Sequence, residues 1–179
     1  YFDIRKDTLY CDAKSSEKRK STILVLNIIL DKLLRWFAPI LSFTTEEIYR
    51  MLFKNEKSIH LEKFVQLPSS FENNSLNEKW NELIKIRNIC NVSIEEKKVS
   101  KEIGSSLEAE INIQLNNKLE SVCKNIDFSE LCITSKASVT YKKDTDTVVE
   151  TLKAKGIKCE MCWKIKEEKC DRDNCPKNN

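Results

Sequence analysis

The sequence predicts a mainly α protein: a helical bundle, then a small α+β unit, then a tail folded around a cysteine knuckle. Three patterns carry that reading. Apolar residues recur at steps of three and four through the first hundred positions, one segment after Gly104 alternates strictly, and four cysteines close the chain. Two glycines and three prolines in 179 residues argue against a turn-rich sandwich. The expected boundaries are 1–100 for the bundle, 101–152 for the α+β unit and 156–179 for the tail.

The most periodic stretch runs from Ser15 to Ala38. Ile23, Leu26, Leu30, Leu33 and Phe37 share one helical face, and further apolar residues widen the stripe, so this helix is expected to be buried on most sides. Ser15 or Ser16 is placed to cap it, and Pro39 to end it. A second helix is expected from Thr44, with Glu47 completing a capping box and Ile48, Tyr49, Leu52 and Phe53 facing inward. After a polar connection with Pro68 as a loop signal, Ser75 or Asn77 would cap a third helix. Its expected stripe is Trp80, Ile84, Arg87, Asn91 and Ile94.

Beyond Gly104 the period changes to two. Leu107, Ala109, Ile111, Ile113 and Leu115 alternate with Glu108, Glu110, Asn112 and Gln114, which describes a half-buried strand. Lys118 to Asn125 reads as a short helix, with Leu119 and Val122 inward. Leu131 to Thr134 and Ser138 to Tyr141 read as further strands.

The tail holds few apolar residues, too few to offset chain entropy unaided. Cys159 and Cys162 form a C-x-x-C knuckle beside Gly156, and Cys170 and Cys175 offer a second pair, although four residues separate them. Four thiolates suit one tetrahedral zinc ion per chain. Disulfides and inert thiols are the competing readings. No secretory leader is visible and the greasy stretch from Ile23 to Phe37 is broken by charge, which points to a soluble, cytoplasmic protein without a membrane span. Cys11, Cys90, Cys123 and Cys132 stand singly among apolar neighbours and read as small core residues.

Catalytic chemistry is not evident, and no catalytic residue is assigned. The single histidine, His60, lacks a partner for a triad, and two glycines cannot build a phosphate loop. Binding is better supported. The net charge is only +3, but Lys14, Lys18, Arg19 and Lys20 cluster at the start of the first long helix. The plain alternative is an ordinary solvated surface. Arg87, on an apolar line, reads either as a hydrogen-bonded residue at the core edge or as a nucleic-acid contact.

Several stretches resemble one family. Y-F-D-I-R-K-D-T-L-Y-C-D (1–12) looks like part of the anticodon-binding domain of bacterial isoleucyl-tRNA synthetases. R-W-F-A-P-I-L-S-F-T-T-E-E-I-Y (35–49) is similar to the helix–Pro–helix signature of class I synthetases, which valyl and leucyl enzymes share. W-N-E-L-I-K-I-R-N-I-C-N-V-S-I-E (80–95), I-G-S-S-L-E-A (103–109) and G-I-K-C-E-M-C-W-K (156–164) match the following regions and favour isoleucyl. The resemblance implies binding of isoleucine tRNA, support for ATP-dependent attachment of isoleucine, and a zinc-bound tail. It implies that the ligase's catalytic domain, where ATP acts, and its editing domain are absent from this chain. The H-I-G-H and K-M-S-K-S motifs are missing, so this chain is expected to be an inactive, monomeric fragment that works with those domains. Lys14, Lys18, Arg19, Lys20, Arg87 and Trp163 are the candidate tRNA contacts. Two other classes remain open: a DNA-binding module, as in the zinc fingers of formamidopyrimidine-type DNA glycosylases, and a zinc-stapled protein-interaction module.

Overall fold

A computed structural model describes residues 1–54, 57–168 and 170. Helices α1 (Phe2–Cys11), α2 (Glu17–Phe37), α3 (Ser42–Phe53) and α4 (Asn74–Val99) come first. Strand β1 (Ala109–Asn116), short helices α5 (Glu120–Cys123) and α6 (Phe128–Leu131), and strands β2 (Lys136–Lys142) and β3 (Val148–Lys153) follow. A two-stranded ribbon, β4 (Ile157–Lys158) and β5 (Ile165–Lys166), ends the described chain. Among the described residues no helix is long and apolar enough to cross a membrane.

Two compact units result: Lys14–Glu72, and Tyr1–Ala13 together with the chain from Asn73 onward. The stretch expected to form one bundle over 1–100 is thus divided, because α1 and α4 pack with the sheet. The sheet has the order β2–β1–β3, with β2 parallel and β3 antiparallel to the central β1. The parallel step needs a crossover, and α5 and α6 lie on it. The alternation read from the sequence is the observed pattern: Ala109, Ile111, Ile113 and Leu115 are buried and the residues between them are not. Leu107 stands just outside the strand, in a 3-10 turn over Ser106–Glu108.

Helix α4 covers this buried row with Leu83, Ile86, Cys90 and Ile94. The expected stripe holds only at Ile94, since Trp80 and Ile84 are exposed. Apolar residues occupy two overlapping stripes here (Leu83 beside Ile84, Ile89 beside Cys90), and only the shape of the sheet chooses between them. Ser93 Oγ lies 2.7 Å from Thr151 Oγ1 and fastens the helix to β3. The Asn73 side chain accepts the Leu76 N–H at 2.9 Å, so the cap is Asn73 and not Ser75 or Asn77. Leu131 to Thr134 is not a strand. Asp127 Oδ1 accepts the N–H groups of Ser129 and Glu130 and starts a helical turn there, and Ile133 then takes φ +58° to leave it.

In the Lys14–Glu72 unit, Ser16 caps α2 as expected, accepting the Arg19 N–H. Helix α3 begins at Ser42, two residues before the expected capping box. The chain reverses tightly through Pro39, with Ile40 and Leu41 N–H both donating to the Phe37 carbonyl, and helix resumes at once. The core is small: Leu34, Ala38, Tyr49 and Ile59, flanked by Leu30 and Ile48. Contrary to the expected all-round burial, α2 fully buries only Thr22 and Leu34, and Leu52 and Phe53 of α3 are exposed. One helix and a 3-10 turn over Ile59–Leu61 cannot cover so wide a stripe. A polar clasp secures this corner. Arg35 donates to Asp31 at 3.0 Å, to Glu62 at 2.9 Å and to the Lys63 carbonyl at 3.1 Å, while Glu46 accepts from Ser58 Oγ and Ile59 N–H at 2.9 Å each.

A candidate metal centre and candidate nucleic-acid contacts

The knuckle is built by its backbone. Gly156 sits at φ +124°, and a Cβ there would lie 2.3 Å from the Lys166 carbonyl oxygen, so only glycine lets the two ribbon strands approach. Within the ribbon the Cys159 N–H donates to Lys164 O and the Trp163 N–H to Cys159 O, both at 2.9 Å. This closes the turn that turns Cys159 and Cys162 the same way. Cys170 joins them: the three sulfurs lie within 4.8 Å of one another, and all three residues are buried.

Such a donor set fits a soft or borderline divalent ion. Burial, with the thiols of Cys159 and Cys170 nearby, pushes the Cys162 thiol up to about 12. Neighbouring thiols in a dry pocket resist ionising together, and a dication reverses that preference. Cys175 lies outside the described residues. The structure corrects the reading of Cys11, which is no isolated core residue: it packs among Cys159, Cys162 and Cys170. Cys90, Cys123 and Cys132 do sit in the hydrophobic core. Cys132 is raised, first through its hydrogen bond with Cys90 and then by burial.

The knuckle is anchored to the α+β unit. Ile165 N–H donates to Ser135 Oγ at 2.6 Å, and Ser135 in turn donates to the Leu107 carbonyl. Lys158 reaches Glu108 at 3.6 Å, and Glu108 accepts the Gly104 N–H at 3.0 Å. That backbone bond is the first cause holding the Glu108 carboxyl below its usual range. The G-S-S-L-E segment therefore acts as a joint between α4, β1 and the ribbon.

The candidate nucleic-acid contacts fall in both units. Lys14, Lys18 and Lys20 are exposed and Arg19 is half-buried, all at or just before the N-terminal turns of α2. Lys20 pairs with Glu17 at 2.7 Å on the open surface, a weak and exchangeable bridge. Trp163 is 60% exposed, at φ +60°, and lines a surface cavity together with Cys11, Met161 and Cys162. Arg87 Nε donates to the Leu131 carbonyl at 2.8 Å, the bond expected of a residue at the core edge. His60 Nε2 lies 3.2 Å from the Ser42 carbonyl oxygen on an exposed turn and has no catalytic neighbour among the described contacts. Nothing local marks Cys11 as a neighbour of the tail, because its contact with Met161 spans about 150 residues.

Residues 1–113 match the family described as "Anticodon-binding domain of tRNA ligase", and the chain belongs to that family. It is similar to the isoleucine–tRNA ligase of Pelagibacter ubique (strain HTCC1062), with 59% identity over 172 residues, 96% of this chain and 19% of the relative. Similarity to the isoleucine–tRNA ligases of Agrobacterium fabrum (38% identity, 92% of this chain, 18% of the relative) and Bartonella henselae (37%, 94% and 18%) runs over the same range. The chain spans just under a fifth of the length of these relatives.

Proposed function

We propose that this chain is the tRNA-holding C-terminal portion of an isoleucine–tRNA ligase. It would position isoleucine tRNA for ATP-dependent aminoacylation by a catalytic domain of the same polypeptide, which also carries an editing domain. The observation that carries the proposal is the 59% identity to an isoleucine–tRNA ligase over 96% of the chain. The family match over residues 1–113 supports it independently. The chain alone binds this tRNA and forms no isoleucyl-tRNA, and it acts as a monomer in the cytoplasm. Lys14, Lys18, Arg19 and Lys20 contact backbone phosphates, and exposed Trp163 is placed to stack on a base. Arg87, already committed to Leu131, is the weakest of the candidates.

Zinc is the cofactor this reading implies. Cys159, Cys162 and Cys170 supply three thiolates, and Cys175 is the candidate that its place in the sequence offers for the fourth. Bound there, zinc serves as a structural staple for a tail with few apolar residues.

Titrating labelled isoleucine tRNA against the chain at several salt concentrations tests the proposal. Lys18→Gln with Lys20→Gln should flatten the salt slope by roughly 1.5, since each phosphate contact adds about 0.7–0.9. Unchanged affinity and slope would remove the basic patch. No preference over an unrelated RNA, or isoleucyl-tRNA formation by this chain alone, would overturn the reading as a whole.

A further inference from the structure

A cavity of about 420 Å³ opens between α1 and the cysteine knuckle, both parts of one compact unit. Its two sides are held in place. Cys11 Sγ donates to the Met161 carbonyl at 3.5 Å, and Lys164 Nζ lies 4.0 Å from Asp7, with both of those side chains largely buried. Leu107, Ile133 and Met161 give the cavity an apolar lining. Tyr10 borders it from α1 and Trp163 from the knuckle, and these two residues are 81% and 60% exposed.

Two large aromatic residues left in water around one cavity gain from a flat guest that covers both. The cavity is of the size that small ligands fill. Ile133 at φ +58° and Trp163 at φ +60° border it in left-handed backbone, a cost for residues of this bulk that clusters at ligand clamps. Lys6 is also on the border, and its 3.0 Å bridge to Asp3 on the open surface is weak enough to exchange for a phosphate. The α1 side of the cavity lies within residues 1–113, the stretch matched to the anticodon-binding family. Bases in a duplex have their faces covered by neighbours, whereas bases in a loop can splay out onto aromatic side chains.

We propose that this cavity takes one unpaired base of the tRNA anticodon loop, with Tyr10 of α1 and Trp163 of the knuckle as its two aromatic walls. This rests on the proposed function and adds which part of the tRNA the cavity holds and that Tyr10 helps to hold it. The base stacks on the rings, and Lys6 meets the adjoining phosphate. Stacking draws on ring area and not on charge, so the contribution of Tyr10 is insensitive to salt, unlike that of the lysines at the start of α2.

Binding of an isoleucine tRNA transcript to the full chain, compared for the wild type, Tyr10→Phe and Tyr10→Ala at several salt concentrations, tests this. Tyr10→Ala should weaken binding at least about fivefold, the low end of what one base–aromatic stack contributes, and leave the salt slope unchanged. Tyr10→Phe keeps the ring and should bind like the wild type. Transcripts that each lack one anticodon-loop base, bound to the wild-type chain, avoid any variant that folds poorly. One of them should bind the wild type more weakly by about the same factor, and Tyr10→Ala should lose nothing further with it. Wild-type affinity for Tyr10→Ala, full affinity of the wild type for every abasic transcript, or abasic losses that simply add to that of Tyr10→Ala overturn this inference and leave the proposed function standing. A wild-type chain with no preference for this tRNA over an unrelated RNA overturns the proposed function, and this inference with it.

Discussion

The two units bury their apolar residues very differently. In the α+β unit every second residue of β1 is buried to 1% exposure or less, and α4, α5 and α6 close over that row. In the Lys14–Glu72 unit Ile40, Phe43 and Met51 are each more than 70% exposed, and four residues make up the buried core. The first unit is held by packing. The second leans more on hydrogen bonds and charge: the Arg35 clasp, the Glu46 acceptor and its helix caps. The two differ because a sheet presents a flat face that one long helix can cover, whereas two helices share only a seam.

Core truncation should separate the units most sharply. Ile113→Ala, at a site with no room to relax, should destabilise the α+β unit by about 2–5 kcal/mol, and Leu24→Ala in α2 should change stability by about 0.5 kcal/mol or less. Thermal unfolding followed by tryptophan fluorescence and amide exchange would read both. Equal losses would mean that α2 packs far more tightly than its exposure indicates.

The second test attacks the clasp. Burial alone would raise the Asp31 carboxyl, but hydrogen bonds from Lys32 and Arg35 outweigh it and hold the group below its usual range. A depressed carboxylate stabilises the fold above its unfolded value of about 3.9, and that contribution disappears as pH falls through the lower folded value. Asp31→Asn should therefore cost the helical unit about 1–3 kcal/mol at pH 7. Its far-ultraviolet signal should also respond less than the wild type's to acid below about pH 4. Identical acid profiles would show that the clasp contributes nothing. The smallest effect belongs to the cap of α4: Asn73→Ala should lower stability by about 1 kcal/mol, and Asn73→Gly by less, measured in urea.

The elements written in short-range chemistry were legible. Strand β1 follows from alternation, the cap of α2 from Ser16, the end of that helix from Pro39, and the C-x-x-C turn from its own spacing beside Gly156. Where two apolar stripes overlap, as on α4, period alone could not choose, and the stripe read from the sequence was not the one the sheet covers. Strand β3 went unread because Val148 to Lys153 is a short edge strand whose alternation is weak without its neighbour. The start of α3 lies two residues before the expected Thr44 because the reversal at Pro39 sets it, and the turn that Asp127 caps takes the place of the strand expected over Leu131 to Thr134.

By itself, the sequence determined the local pieces: which segments are helical, which one alternates, and that three or four thiols of the tail could meet one ion. Those facts depend on residues within a few positions of one another, where the backbone leaves little choice. Only the tertiary structure decided that α1 and α4 belong to the sheet and that Lys14–Glu72 stands as a separate unit. It alone brought Cys11 to the thiols near the opposite end of the sequence. Those outcomes depend on which surfaces exclude water together, and burial is settled by partners that no single stretch of sequence contains.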